Sequence, residues 1–284
     1  MHGLVRHTDP AAFLAAAAPL LARDEAAAAA YTSWVAGLLA HPAPDERVYL
    51  ATYARGGAVG AAIQRRDGPV VLESSDPEAA VAFAQDLAAD LPRLAGVVAA
   101  PRASAAFAQA WQERTGRAST LRFRLRHHRL TAVTAAPSAP GVARIADGAD
   151  ADWLVDAQVA FLAEARVPDN PERMRSVVPR RVERGELWLW DCGGRVALAG
   201  WSAGATDSAR IAPVYTEPAQ RGRGFATALV AALAQALLDA GRRQLFLVTD
   251  LANPTSNAIY ARIGFRPLTD LHHVDFVAAD AASG

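Results

Sequence analysis

The order in which element signals recur constrains this chain most, because the same succession is written twice along it. In the first half, residues 48–53 and 58–64 read as strands joined through Gly56-Gly57, and 70–72 as a third strand. A helix entered at Asp76-Pro77 and ending near Leu91, a strand over 96–99, a helix over 102–115 closed by Gly116 and a long strand over 119–130 follow. In the second half, strands 186–191 and 195–203 flank Gly193-Gly194 and 209–216 is the third. A helix over 225–240, a buried strand over 244–248, a helix over 254–263 stopped by Gly264 and a strand over 272–277 complete the set. Both halves therefore read hairpin, strand, helix, strand, helix, glycine, strand. The chain is expected to be a duplicated mixed α/β fold.

Two helices, 10–23 and 24–39, precede the first hairpin, and His41-Pro42-Ala43-Pro44 breaks the second of them. Residues 131–141, rich in Ala, Pro, Ser and Thr, read as a linker. A strand over 142–145, a helix over 150–164 and another capped by Asn170-Pro171 open the second unit. The expected organisation is thus 1–130, linker 131–141, and 142–284. From Gly56 to Gly116 is 60 residues and from Gly193 to Gly264 is 71, the excess falling where the second half carries a glycine-rich loop. One functional and one degenerate copy is the reading this supports.

Lys plus Arg and Asp plus Glu each number 29, so no global charge pulls the chain toward nucleic acid or an acidic membrane. The single cysteine, Cys192, forms no internal disulfide and fits a reducing cytoplasm. No metal-ligand cluster is visible. The apolar stretch 11–22 has the look of a short export signal, but Asp9-Pro10 before it and Arg23, Asp24 and Glu25 after it read as an ordinary capped helix. No apolar run is long enough to span a bilayer. Arg122, Arg124 and Arg126 alternate with Leu121, Phe123 and Leu125, which reads as a solvated strand face, with an anion or RNA contact as the alternative.

The most specific local signal is Gln220-Arg221-Gly222-Arg223-Gly224-Phe225-Ala226, set between a strand and an amphipathic helix. A helix start offers unpaired N–H groups and partial positive charge, and glycines let a phosphate approach the main chain. A plain strand-to-helix turn explains the same residues. No ribose carboxylate or phosphate-binding lysine follows at the expected position, which disfavours a dinucleotide or P-loop site.

Arg221-x-x-Gly224-x-Ala226, preceded by Val214-Tyr215-Thr216-Glu217-Pro218 and followed by Asn253 through Phe265, resembles the GCN5-related N-acetyltransferase (GNAT) superfamily. The wider architecture is similar to tandem GNAT proteins with a degenerate first domain. The resemblance implies a mixed-sheet GNAT fold in two units, acetyl-CoA as cosubstrate, no metal, and a small-molecule or peptide amine as acceptor. It implies that Arg221, Gly222, Arg223, Gly224, Phe225 and Ala226 hold the CoA pyrophosphate, that Val214, Tyr215 and Thr216 pair with the pantetheine arm, and that Asn253 contacts it. Tyr260 would protonate the departing thiolate. Asn253 before Pro254 is equally a helix cap, and Tyr260 could pack with its hydroxyl on a carbonyl. Pro213 cannot donate to a ladder and suggests a bulge, where the resemblance also places one.

The general base is less legible. Val248 stands twelve before Tyr260, where some members carry glutamate. Asp250 and Glu164 are the candidates named for the role, with Glu217 behind them. Trp188, Trp190 and Trp201 read as core or hairpin packing. Two rivals remain: a non-catalytic acyl-CoA sensor or interaction module, and a tandem enzyme with a specialised, mycothiol-synthase-like acceptor. A homodimer is left open. CoA is expected in the second unit alone, and Gly224→Val is expected to weaken its binding with thermal stability nearly unchanged.

Overall fold

A computed structural model describes residues 2–40, 47–65, 68–74, 76–91, 93–134, 138–166, 171–204 and 207–277; the break at 41–44 and the Asn170 cap lie outside them. In chain order the elements are β1 (His2–Arg6), α1 (Pro10–Leu21), α2 (Glu25–Ala40), β2 (Val48–Arg55), β3 (Ala58–Arg65), β4 (Val70–Ser74), α3 (Pro77–Asp90), β5 (Gly96–Ala99), α4 (Pro101–Thr115) and β6 (Ala118–Leu130). They continue as β7 (Val142–Ile145), α5 (Ala151–Glu164), α6 (Pro171–Glu183), β8 (Leu187–Asp191), β9 (Arg195–Ala203), β10 (Ser208–Thr216), α7 (Phe225–Asp239), β11 (Gln244–Asp250), α8 (Pro254–Ile263) and β12 (Arg266–Val277). The fold is mixed α/β, as the sequence implies. No helix among the described residues is long and apolar enough to cross a membrane.

Packing divides the chain into two compact units that interleave along it. One comprises residues 2–127, 248–253 and 267–277; the other comprises 128–247 and 254–266. In the first, strands run β1-β2-β3-β4-β5-β12-β6. Strand β1 has no counterpart in the sequence reading: its five residues, with Gly3 among them, show no alternation, and antiparallel pairing with β2 makes them a strand. Helices α1 and α3 start as capping chemistry dictates. The Asp9 carboxylate accepts from Ala11 and Ala12 N–H, that of Asp76 accepts from Glu78 N–H, and each helix has proline in its first turn. Two of the arginines on β6 meet carboxylates of β12: Arg126 grips Asp270 with two hydrogen bonds, and Arg122 lies 3.3 Å from Asp275.

Strand β12 is longer than the hydrophobic pattern of 272–277 suggests, and it pairs antiparallel with β5, from His272 opposite Ala99 to Asp275 opposite Gly96. Phe276 completes the aromatic stack of this core, 6.0 Å from Phe107 and 5.1 Å from Trp111. Gly96 permits the approach, because a Cβ there would overlap the carbonyl of Val274.

In the second unit, the strand order is β11-β10-β9-β8-β7. Strands β7 to β10 are mutually antiparallel, and β11 is parallel to β10. Helix α7 buries Phe225, Leu229, Leu233 and Leu237 against one sheet face, joined there by Ile263 of α8. Helices α5 and α6 bury Leu154 and Val178 on the other face. The entry to α5 is fixed by Asp150, whose buried carboxylate receives Arg144 at 2.6 and 2.8 Å, Arg195, and the Asp147 N–H at 2.9 Å. The Arg144 guanidinium, then that N–H and Arg195, hold this carboxyl well below the usual range.

A Gly→Ala change in open space commonly raises stability by restricting the unfolded chain. Gly96→Ala should do the reverse, lowering unfolding free energy by about 1–3 kcal/mol as β12 is pushed from β5. A chemical denaturation midpoint at or above the parent's would show that this strand contact is not close.

Candidate functional site

The site follows from how β10 is paired. It matches β9 at Ala209, Arg210 and Ile211, and again at Val214, Tyr215 and Thr216, opposite Ala199, Leu198 and Ala197. Between Ile211 and Val214 the strand advances three residues while β9 advances two, so Ala212-Pro213 form a bulge. Pro213 is where the sequence suggested one. On its other edge, β10 pairs with β11 only from Ser208 to Arg210, opposite Gln244 to Phe246. Beyond Arg210 the two parallel strands share no ladder, so the groups of β10 that do not face β9 line an open edge. Val214, Tyr215 and Thr216 lie on this stretch, and the buried Thr216 hydroxyl oxygen has no hydrogen-bond partner among the described residues.

After Thr216 the chain makes a short 3-10 turn over Pro218–Gln220 and enters α7 through the glycines. Gly222 and Gly224 hold φ of +78° and +83°, left-handed backbone that side chains disfavour. Gly224 is the N-cap, no side chain caps the helix, and no acidic residue lies in its first turn. The first N–H groups of α7 therefore carry their partial positive charge uncompensated by side chains. A Cβ at Gly222 or Gly224 would meet nothing within 4 Å. The contrast with α3 in the first unit is direct: there Asp76 caps the same kind of helix start and Glu78 sits in its first turn.

Arg221 does not reach toward the helix start. Its Nε donates to the Thr216 carbonyl at 3.0 Å, and Nη2 grips both oxygens of Glu164 at 2.6 and 2.8 Å. Its guanidinium also lies 5.7 Å from the Tyr215 ring centroid. Arg223 bonds Gln220 and lies 4.8 Å over the ring of Phe225. Tyr260, on α8, belongs to the apolar cluster that contains Phe225 and Ile211, with Val214 packed against it. Its ring meets Phe265 edge-on at 5.8 Å, and its hydroxyl makes no hydrogen bond among the described residues. Burial pushes its pKa up to about 12.

The FR47-like protein family matches residues 192–274. A sequence comparison with curated proteins finds no match. Solved structures match over nearly the whole length. A GCN5-related N-acetyltransferase from Sphaerobacter thermophilus is 20% identical at a TM-score of 0.62, covering 96% of this chain and 95% of that one. A tandem GNAT protein from the clavulanic acid biosynthesis pathway is 17% identical at a TM-score of 0.60, with 98% of each chain covered. The chain has the tandem GNAT fold. A GNAT-family acetyltransferase from Colwellia psychrerythraea, 16% identical at a TM-score of 0.59 over 96% of this chain and 98% of that one, agrees with it.

Within the GNAT fold, the second unit brings together the residues 214–216, the loop 221–226 and Tyr260. Asp250 and Asn253 fall in the first compact unit. The Asp250 carboxylate accepts the Ala252 N–H at 2.9 Å, and its carbonyl accepts the Asn253 N–H at 3.0 Å, a turn that ends β11. Glu217 accepts the Trp153 indole N–H at 2.8 Å. Each carboxylate named as a base thus already serves a neighbour. Among the described residues, no group of three or more His, Cys, Asp or Glu is placed to hold a metal. A shallow groove of about 500 Å³, lined by Val142, Trp190, Ala231 and Gln235, includes none of the predicted site residues.

The sequence reading did not mark Arg181 or Arg210. Arg210 occupies the last position at which β10 pairs with β11, and Arg181, near the end of α6, sends Nη2 to the carbonyls of Trp201 at 3.0 Å and Ala212 at 3.3 Å. Nothing local in the sequence links a helix arginine to a strand arginine.

The expectation that Gly224→Val spares stability needs correction, because φ there excludes a β-branched residue however open the space. The substitution should cost about 1–2 kcal/mol. Thermal melting would show this as a fall in Tm; an unchanged Tm would mean the loop relaxes to another conformation.

Proposed function

We propose that the second unit binds acetyl-CoA and passes the acetyl group to an amine. The observation that carries this reading is the α7 start with no side-chain cap, reached through Gly222 and Gly224, directly after the open edge of β10. When bound, acetyl-CoA supplies an activated acyl group as a thioester. The Arg221 N–H is donated to the Pro218 carbonyl, so it is the N–H groups of residues 222–226 that suit its pyrophosphate, and the open edge at Val214, Tyr215 and Thr216 suits the amides of its arm, joined as an added strand would be. The Thr216 hydroxyl, which lacks a partner, is consistent with a polar ligand here. In the first unit the Asp76 carboxylate and Glu78 oppose a phosphate at the start of α3.

Tyr260 holds a proton on a hydroxyl that no described residue engages, and its raised pKa keeps that proton throughout the neutral range. It is the group suited to protonate a departing sulfur. The base is a different matter. Glu164, Glu217 and Asp250 each accept hydrogen bonds already, which leaves deprotonation by water, or an amine pKa lowered by desolvation, as the proposed route to a neutral attacking amine. The same engagement favours one alternative, a binder of acyl-CoA that transfers nothing. Release of free CoA in the presence of an amine panel separates the two.

Calorimetry should find one acetyl-CoA site per chain. Ala226→Glu places a negative charge in the first turn of α7, where it suits the helix but repels phosphate. It should weaken acetyl-CoA binding by about tenfold or more while leaving melting unchanged or raised. Two sites per chain, or unaltered affinity in this variant, would overturn the assignment.

Tyr260→Phe should lower the single-turnover rate by roughly tenfold or more, with acetyl-CoA affinity little changed. Because the folded-state pKa is raised to about 12, the parent rate should show no alkaline fall from this group below about pH 11. Parent-like single-turnover rates in the variant across pH would make the hydroxyl structural.

A further inference from the structure

We propose that the acceptor amine carries a carboxylate, and that Arg210 together with Arg181 binds it at the inner end of the gap between β10 and β11. This deepens the acetyl-transfer reading and rests on it for the identity of the acceptor.

Strand alternation decides which face Arg210 occupies. Ala209 and Ile211 on β10, and Leu245 and Leu247 on β11, join the cluster beneath α7. Arg210 and its registered neighbours Ser202 and Phe246 therefore point to the opposite face, the one covered by α5 and α6. Arg181 reaches this face from α6. Its guanidinium lies over Gly200, where a Cβ would stand 2.7 Å from Nη2, so the glycine leaves the space that the arginine fills. From there it donates to the carbonyl of Ala212 in the bulge, and Arg210 is the residue at which pairing with β11 ends. The two cations thus meet where the strands part.

Charge on this face is not balanced. Glu186 lies 3.2 Å from Arg181, but its carboxylate is also gripped by Arg184, so one negative charge answers two guanidinium groups. The side chains of Arg181 and Glu186 are 14% and 18% exposed, which limits what water contributes. Arg210, partly buried, has no hydrogen-bond acceptor or ion-pair partner for its side chain among the described residues. Desolvation first, then the charge of Arg181, lower its pKa from the ordinary arginine value. A guanidinium still prefers its charged form, and its planar fork matches a carboxylate. A partly buried arginine beside a second one, with no anion of its own, weakens the fold unless a ligand supplies the anion. The Arg184 side chain is 46% exposed and is answered by water, so the two shielded guanidinium groups, Arg181 and Arg210, set against Glu186 leave one positive charge, which a carboxylate matches before a phosphate dianion does.

The test compares amino carboxylates of graded length, from glycine to 5-aminopentanoate, with their amides and with O-phosphoethanolamine. It uses the parent, Arg210→Met and Arg210→Gln, and follows CoA release, acetyl-CoA affinity and melting. The parent should favour at least one carboxylate over its amide by on the order of 10² in kcat/KM. Both variants should bring that ratio near unity with acetyl-CoA affinity retained, and Arg210→Met should melt no lower than the parent. Equal use of carboxylates and amides, preference for the phosphate, or a preference that survives both substitutions would overturn the inference. Should no amine release CoA while acetyl-CoA binds, transfer itself fails. The carboxylate site is then read from binding of the same amino carboxylates by calorimetry: loss of that binding in both variants supports it, and no binding to the parent overturns it.

Discussion

Strand β10 cannot satisfy both of its neighbours along its whole length. The bulge at Ala212-Pro213 keeps it on β9, and the ladder to β11 ends at Arg210. What matters in the second unit descends from that parting. The stretch after the bulge presents unpaired main chain, the strand runs out into a turn whose glycines deliver the start of α7, and Tyr260 packs in the cluster that holds both Ile211 and Phe225. A regular five-stranded ladder with the same side chains would have a closed sheet and no cleft. The space over Gly200 belongs to the same device, since Arg181 uses it to bond the bulge carbonyl.

The two units solve the same helix start in opposite ways. In the first, Asp76 supplies the negative charge that α3 attracts, and the helix is complete in itself. In the second, Gly224 supplies none, and the start of α7 stays electrostatically receptive. Carboxylates nearby are spent on other tasks: Glu164 on Arg221, Glu217 on Trp153, and Asp150 on Arg144 and Arg195. These three carboxylates are thus engaged, and two positive features, a helix start and Arg210, have no answering side chain among the described residues.

Periodicity and punctuation made the fold legible. Strands β5, β7 and β9 and helix α8 begin and end where glycine, proline and apolar alternation place them. Strand β1 was invisible because its hydrogen bonds come from β2, and neither length nor pattern within His2–Arg6 announces them. The first residues of β12 are equally silent: Arg266, Pro267 and Leu268 are all exposed, so no buried alternation announces the strand there. At the site, the glycine loop and Pro213 could be read because each residue type has a local backbone consequence. The approach of Arg181 to Arg210 could not, since it depends on α6 crossing a glycine of β9 that looks, in sequence, like any small residue in a strand. The engagement of each candidate base was equally hidden, for a carboxylate shows its partner only when the chain is folded.

Strand β12 follows the whole second unit along the chain, yet it pairs with β5 and its Phe276 stacks on Trp111. The first unit therefore contains a strand that leaves the ribosome after the whole second unit. During synthesis the aromatic core of the first unit waits with one side uncovered, however early its own helices form. A premature stop that spared every residue of the glycine loop and Tyr260 would still injure the other unit first. Of the two units, the one begun first is completed second.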